Sequence, residues 1–378
     1  MSGMNILDAT HDYETWLAKA ISSPLEPADL DYKHQRMADP VDPFPFFRGT
    51  YYRWVGRWAE AAGPLARAPR VLAVGDLHVE NFGTWRDADG RLCWGINDFD
   101  EADDLPYTID LVRLASSVRF GKKSGVMEIK QGDACEAILC GYRDCLKASG
   151  RPFVLEEHHT HLRAIAMSVE RDPAAFWAKM TKLLGDPPVT LPADAQAAIA
   201  EVLPATGLTL QYRVRPRAGV GSLGRLRYVA LTNWAGGWVC REIKSTAPPA
   251  TAWAAGSGNP GRSRMVEVVS RAVRAPDPFY RPGPVWVARR LGPRATRIEL
   301  ANLASADIGR VLNAMGAEVG NVHLGTPGAA PAILADLATR PAGWLEEAAR
   351  TLADLIEKDW TAWRTARTAA VQNEAKPK

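Results

Sequence analysis

VLAVGDLHVENFGTWRDADGRLCWGINDFDEADDLPYTIDLVR, residues 71–113, is the stretch that decides the fold and points to the chemistry of this chain. The opening VLAV predicts a short buried strand, because the apolar run is too brief for a helix. FGTW and LCWGIN predict the two strands of a hairpin that turns at Asp89 and Gly90. Asn81 directly precedes the first hairpin strand, and Asp98 directly follows the second. We therefore expect both side chains at the open end of the hairpin, within reach of one cation.

Three side chains of this stretch predict a phosphoryl-transfer site. Asp76 is the candidate general base, since a carboxylate that accepts a hydroxyl proton contributes about 10²–10⁴-fold to rate. Asn81 and Asp98 offer the oxygen ligands that Mg²⁺ prefers, with water and phosphate oxygens completing its shell. Any one aspartate could instead cap a turn. The prediction therefore depends on all three residues lying around one hairpin.

A glycine-rich segment further along the chain predicts contact with phosphate. Gly219, Gly221 and Gly224 form GVGSLG, and glycines let backbone amides approach a phosphate closely. The pattern alone is weak, because glycine-rich turns are common. A dinucleotide-binding fold would place a helix after it. Here the strand-like RLRYVAL follows, which favours a glycine-rich flap over the phosphates of ATP.

Two charged residues after the flap extend this prediction. Lys244 lies in WVCREIKS, a predicted strand that pairs with RLRYVAL, so its amine could bind the phosphates beneath the flap. Glu267, on the next predicted helix, could hold Lys244 by an ion pair. The alternatives are a surface lysine on an edge strand and a solvated glutamate. Arg48 is a candidate phosphate or substrate ligand, or else one half of a local salt bridge.

Composition limits the class of protein and its partners. The 378 residues are 47% hydrophobic and 24% charged, and the net charge of +3 predicts no nucleic-acid partner. The chain lacks the run of roughly 18 apolar residues that a membrane-spanning helix needs. Five cysteines without a CxxC pair predict reduced thiols in a cytoplasmic protein. HHTH at 158–161 predicts a solvated helical patch in preference to a metal site.

Periodicity divides the chain into three parts. A helical catalytic lobe is expected over 1–204, with Pro106 opening a helix and a Pro- and aromatic-rich loop at 40–52. Alternating residues predict a sheet with one helix over 205–292. Residues 293–378 return to helix and complete the first lobe. The fold class expected is α+β.

Two motifs resemble those of a known family. GDLHVEN is similar to the catalytic loop of aminoglycoside phosphotransferases and choline kinases, and INDFDEADDLPYTIDL resembles their metal-binding segment and the helix after it. The resemblance implies Asp76 as base, Asn81 and Asp98 as magnesium ligands, and Asp110 as a structural brace for the catalytic loop. With PFPFFRGT upstream, the wider pattern resembles an uncharacterised bacterial family over most of the chain.

Three departures accompany this resemblance. Val74 stands where the family usually has a histidine, and Asp100 where protein kinases have the glycine of their metal-binding triplet. The flap and Lys244 also follow the catalytic loop, whereas kinase-like chains have them before it. The resemblance therefore implies a circularly permuted, two-lobed protein kinase-like fold, with a small antiparallel sheet lobe inserted in a mainly helical lobe.

The function expected is ATP- and Mg²⁺-dependent phosphoryl transfer to a hydroxyl of a small molecule or protein. One alternative is a nucleotide-binding pseudokinase that regulates a partner. Another is a two-metal phosphoesterase, because Asp76-Leu77-His78 matches a DxH opening. That chemistry needs further His and Asp ligands. The one later candidate is His323, which lacks an Asp after it.

Overall fold

Helices and small antiparallel sheets make up an α+β fold in the computed structural model of the chain. The structure describes residues 3–21, 23–125, 127–156, 158–168, 172–257, 261–295, 300 and 303–374. Within those residues, no helix combines the length and the apolar character needed to cross a membrane.

The first part of the chain surrounds two short sheets with helices. Its elements are α1 (Ile6–Ala20), α2 (Pro27–Met37), α3 (Phe44–Gly49), α4 (Tyr51–Ala61), β1 (Arg70–Ala73), β2 (Phe82–Arg86), β3 (Leu92–Ile96), β4 (Asp103–Pro106), α5 (Thr108–Lys123) and α6 (Gln131–Lys147). Strand β1 pairs with β4, and β2 pairs with β3 as the predicted hairpin.

The middle part carries a five-stranded antiparallel sheet in the order β5-β6-β7-β9-β8. Its elements are α7 (Thr160–Ser168), α8 (Pro173–Lys182), α9 (Ala193–Ala200), β5 (Gln211–Val214), β6 (Arg227–Trp234), β7 (Gly237–Ser245), α10 (Ala250–Ala254), α11 (Met265–Arg271), β8 (Tyr280–Pro282) and β9 (Trp286–Leu291). The chain ends in α12 (Ser305–His323), α13 (Ala329–Thr339) and α14 (Trp344–Glu374).

The last helices pack onto the first part of the chain and share its core. Helix α12 lies against α6, where Gly141 and Gly316 let the two backbones touch. A Cβ at Gly141 would lie 1.9 Å from the carbonyl oxygen of Asn313, and one at Gly316 would lie 2.0 Å from that of Ile138. Neither position could hold a side chain without moving the helices apart. Helix α14 packs across α5 and α4.

Three sequence-based boundaries differ from the structure. The predicted loop at 40–52 contains α3, whose buried phenylalanines pack into the core. Pro106 ends β4 instead of opening a helix, and α5 begins at Thr108. Helices α8 and α9 pack on opposite faces of the five-stranded sheet through Phe176 and Ile199. These two helices therefore belong with the sheet, and not with the lobe predicted to extend to residue 204.

Candidate functional site

The carboxylate of Asp110 holds the loop after β1 in place. The amides of Val74 and Gly75 donate to its two carboxylate oxygens at 2.7 and 2.9 Å. Gly75 has a φ of +86°, and a Cβ there would lie 2.4 Å from the carbonyl oxygen of Glu101. Only glycine fits this turn. Asp110 thus anchors the loop that carries Asp76, the role that the family resemblance implies.

His323 completes this anchor and takes no part in the candidate site. Its Nε2 lies 3.1 Å from Asp110, and its Nδ1 lies 2.7 Å from the hydroxyl of Tyr142. The imidazole is fully buried. As a metal ligand beside Asp76, which the phosphoesterase alternative requires, His323 is therefore misplaced.

Asp76 is paired with a buried arginine that the sequence reading did not single out. Nε and Nη2 of Arg113 both donate to Oδ1 of Asp76, at 3.0 and 2.7 Å. The guanidinium is fully buried, 3.5 Å from the ring centroid of Phe47. Burial raises the pKa of the Asp76 carboxyl, and the charge of Arg113 opposes that rise. Arg113 lies on α5 only three residues after Asp110, so the same helix positions both groups.

Asn81 and Asp98 lie side by side at the open end of the hairpin. Phe82 pairs with Ile96, and the amide of Asn97 donates to the carbonyl of Asn81 at 2.9 Å. The amide of His78 donates to Oδ1 of Asn81 at 2.6 Å, which fixes that side chain. The Asp98 side chain is 46% exposed. A carboxylate facing the cavity and a fixed amide oxygen are therefore available to a cation.

A single cavity brings these residues together with the glycine-rich flap. Asp76, Asn81 and Asp98 line it, as do Gly219 and Gly221. Asp76, Asn81 and Asp98 thus face the flap, whereas Lys244 lines a neighbouring cleft that shares Asp98 and Gly219 with this cavity.

The flap lies directly above the candidate base. A Cβ added at Gly221 would lie 3.2 Å from the carbonyl oxygen of Arg48 and 3.7 Å from Oδ2 of Asp76. Gly224 has a φ of +93°, and its carbonyl accepts from the amide of Glu26 at 2.8 Å. The flap is therefore closed against the first part of the chain, with its backbone as the roof of the cavity.

Arg48 also lines this cavity. Its Nη1 pairs with the carboxylate of Glu80. Arg48 therefore forms the local salt bridge, and it also lies at the wall of the site, where a role as phosphate or substrate ligand fits its position.

Lys244 pairs with Asp100, in the segment between β3 and β4, and not with Glu267. Its Nζ lies 2.5 Å from Oδ2 of Asp100 and 4.0 Å from Oδ1 of Asp98. Glu267 instead pairs with Arg264 at 2.5 Å and with Arg271, both on its own helical segment. The predicted Lys244–Glu267 ion pair is therefore wrong. The partner of Lys244 is a carboxylate 144 residues away along the chain, which proximity in sequence does not indicate.

Asp100 receives a second cation from the flap. Nη2 of Arg225, the residue after Gly224, lies 2.6 Å from the same Oδ2. Burial favours the neutral acid, but Lys244 and Arg225 outweigh it and hold the pKa of Asp100 far below its usual range. Asp100 thus supplies the buried counter-charge that holds both Lys244 and the flap against the segment between β3 and β4.

The structure contains no complete protein metal cage in the part of the chain that it describes. No group of three His, Cys, Asp or Glu side chains there converges as for a bound ion. Asn81 and Asp98 still suit Mg²⁺ without a third protein ligand. That ion commonly takes one or two protein oxygens and fills its shell with water and phosphate. Only Thr160 and His161 of the HHTH patch lie in helix α7, and Nε2 of His161 lies 3.3 Å from Oδ1 of Asp307.

Comparison with known proteins gives a family but no activity. The model of a family described as "Uncharacterized protein conserved in bacteria (DUF2252)" matches residues 25–175 and 154–366. These ranges include the catalytic-loop motif, the hairpin, the flap and Lys244. No curated protein and no solved structure matches the chain.

Proposed function

Because the chain belongs to the DUF2252 family of uncharacterised bacterial proteins, we propose its function from the site: an ATP-dependent phosphotransferase that acts on a hydroxyl of a small molecule or protein. The observation that carries this proposal is the shared cavity, in which Asp76, Asn81 and Asp98 face the glycine-rich flap. Phosphoryl transfer requires groups that position the reactants and stabilise charge. This cavity brings carboxylate, amide and backbone N–H groups together for that purpose.

Each residue has a definite task in this proposal. Asp76 orients the acceptor hydroxyl and accepts its proton through Oδ2, while Arg113 holds Oδ1. Asn81 and Asp98 would hold Mg²⁺, which neutralises charge on the transferred phosphoryl group when bound. Backbone amides of the flap and the Lys244 amine contact the phosphates of ATP. Catalysis then consists of positioning and charge neutralisation.

A kinase-like fold with permuted chain order accounts for the arrangement along the sequence. The flap joins the neighbouring strands β5 and β6, and Lys244 lies near the end of β7. Helices α12 to α14 return to the first part of the chain, so the sheet is an insertion between two halves of one helical lobe. Permutation is tolerated where junctions lie at the surface.

The test is release or transfer of the γ-phosphate of radiolabelled ATP by the purified protein with Mg²⁺. We expect turnover in the natural chain, with water or a component of a bacterial metabolite extract as acceptor. Asp76→Asn should lower it by about 10²–10⁴-fold. Binding of a non-hydrolysable ATP analogue should persist in that variant. Turnover that is unchanged in Asp76→Asn would contradict the proposal.

The same assay separates the pseudokinase alternative from the proposed enzyme. A pseudokinase would bind the analogue with Mg²⁺ and release no phosphate with any extract. A phosphoesterase would hydrolyse p-nitrophenyl phosphate with Mn²⁺ and need no nucleotide.

A further inference from the structure

A cleft that is separate from the candidate site lies at the end of β7, and we call it the β7-end cleft. It encloses about 680 Å³, a volume typical of sites for small molecules. It shares no lining residue with the Asp76 cavity or with the neighbouring cleft that Lys244 lines. Ser245 lines it, and successive side chains of a strand point to opposite faces. The β7-end cleft and the Lys244 amine therefore lie on opposite faces of the sheet.

Hydrogen bonds between distant parts of the chain shape the walls of this cleft. The amide of Thr246 donates to the carbonyl of Val285 at 2.8 Å, and its hydroxyl donates to the carbonyl of Pro284 at 2.9 Å. The hydroxyl of Ser263 donates to the carbonyl of Phe99 at 3.2 Å. The lining residues are 19–21, 23, 245–248, 261–263, 265, 266 and 283–285. The fold itself thus forms the cleft.

Among the described residues, every charged group that lines the β7-end cleft is a cation. Lys19 lies in the last turn of α1, and Arg262 lies shortly before α11. Both are exposed, and neither side chain forms a hydrogen bond or an ion pair in the described part of the chain. Positive charge without a neighbouring acid in a concave site attracts anions.

The same cleft has an apolar surface. Ile21, Ala247 and Met265 line it, and so does Val266, which is 50% exposed. Removal of apolar surface from water is favourable, so a ligand with an apolar body would gain by covering Val266. An inorganic anion would leave this surface in water. The lining therefore favours a ligand that is anionic at one end and apolar at the other.

Two serine hydroxyls at the wall also lack partners. Ser245 is 1% exposed, and its Oγ forms no hydrogen bond with any described residue. The Oγ of Ser23, which also lines the cleft, is buried without a partner in the same part of the chain. A buried hydroxyl without a hydrogen bond costs stability. A polar group of a ligand at this wall would offset that cost.

We propose that the β7-end cleft binds a small organic acid, whose carboxylate pairs with Lys19 and Arg262 and whose apolar chain covers Val266. A carboxylate suits this pair because its two oxygens match the donors of a guanidinium group. The site does not rest on the function proposed above, and its ligand is distinct from both the nucleotide and the phosphoryl acceptor.

The first test is calorimetric titration of the purified protein with octanoate, and with octanamide as the uncharged probe of the same length. We expect one saturable site for octanoate. Octanamide should bind at least about fivefold more weakly, as loss of exposed ion pairs predicts. No saturable binding of octanoate, or equal binding of the two probes, would overturn the proposal.

The two cations are tested together in the double variant Lys19→Gln, Arg262→Gln. It should bind octanoate about fivefold or more weakly than the natural chain and leave the affinity for octanamide unchanged. Lys147→Gln is the matched control, because Lys147 is an exposed residue in the last turn of α6, outside the cleft. Equal octanoate affinity in the double variant and the natural chain would show that these cations do not hold the carboxylate.

The apolar wall is tested by Val266→Asp, which places a negative charge where the apolar chain would lie. Binding of octanoate should be lost, and the melting temperature should change little because Val266 is half exposed. Met167→Asp on α7 is the control, since Met167 is 49% exposed and lies outside the cleft. Octanoate binding that survives Val266→Asp would refute the assignment to this cleft.

Titration of octanoate with saturating Mg²⁺ and a non-hydrolysable ATP analogue tests whether the two sites are separate. Octanoate binding should persist, because the clefts share no lining residue. Direct competition would overturn the proposal of a second site. A protein that binds octanoate but not the ATP analogue would keep the β7-end site and refute the proposed function, so the two failures are distinguishable.

Discussion

At the scale of single residues, the candidate base is defined as much by Arg113 as by its own carboxyl group. Arg113 occupies Oδ1 of Asp76 and stacks on Phe47, which leaves Oδ2 towards the flap. Burial raises the pKa of Asp76 while this arginine opposes the rise. In the proposed mechanism Arg113 is a positioning residue, which orients the Asp76 carboxyl and opposes the rise in its pKa.

Replacing Arg113 should change the pH dependence of the reaction. A base must be ionised, so activity rises with pH through the pKa of Asp76. In Arg113→Met that pKa rises further, and the acidic limb of the kcat/KM profile for ATP hydrolysis should move to higher pH. Arg119→Met, on the same helix but paired with Asp354 outside the site, is the control. An acidic limb at the same pH in both variants would show that Arg113 is merely structural.

Glu101, which lines the same cavity as Asp76, should make the stability of the folded chain depend on pH. Burial raises its pKa from 4.5 to about 8. Between those pH values the folded chain keeps a proton that the unfolded chain releases, so this group lowers stability as pH rises from about 4.5 to 8.

Glu101→Gln should remove that part of the slope in a plot of melting temperature against pH. The amide oxygen can still accept from the amide of Ala250, as Glu101 does at 2.7 Å. Glu128→Gln, at an 80% exposed side chain, is the control and should keep the natural slope. Equal slopes in both variants would mean that Glu101 is ionised in the folded protein.

At the scale of elements, the proposed chemistry depends on the backbone of the flap. No side chain can be added at Gly221 without filling the space between Asp76 and Arg48. Gly221→Val should therefore reduce binding of Mg²⁺ and an ATP analogue by at least about tenfold, because a 1.4 kcal/mol loss already has that effect. Its melting temperature should change little.

The matched control for the flap is Gly237→Val at the start of β7, where nothing lies within 4 Å of the added Cβ. Calorimetry on both variants gives the comparison. Normal nucleotide binding in Gly221→Val would show that the flap does not bind the nucleotide.

Local elements could be predicted from sequence where short-range rules decide them. The hairpin followed from two strand-like runs around the Asp89-Gly90 turn, and the flap from its glycines between strands. The partner of Lys244 could not be predicted, because Asp100 reaches it only when the loop between β3 and β4 packs against the five-stranded sheet. Arg113 was within the quoted stretch, yet a helical arginine three residues after Asp110 looks like many solvated ones until Phe47 covers it.

At the scale of the whole molecule, Asp100 joins the two parts of the chain. It receives Lys244 from the sheet and Arg225 from the flap, while its own segment follows the hairpin. These contacts are buried and charge-assisted, which makes them strong and dependent on geometry. One carboxylate thus pairs with both the flap and the Lys244 amine, beside the candidate metal ligand Asp98.

Lys244→Met should weaken use of ATP more than it weakens folding. Arg225 remains to compensate Asp100, so the melting temperature should fall only modestly. The KM for ATP should rise by about tenfold or more, since a charged hydrogen bond to phosphate is worth about 1.5–3 kcal/mol. Thermal unfolding and ATP hydrolysis measure the two effects. A large loss of stability with an unchanged KM would reverse the interpretation.

Calorimetric titration with a non-hydrolysable ATP analogue tests the central claim most directly, because that claim is one cleft formed by early and late parts of the chain. The account predicts one site per chain that requires Mg²⁺, with binding strongly weakened both by Asp98→Ala in the hairpin segment and by Lys244→Met in the sheet. Absence of binding in the natural chain, or binding that survives both substitutions, would contradict it.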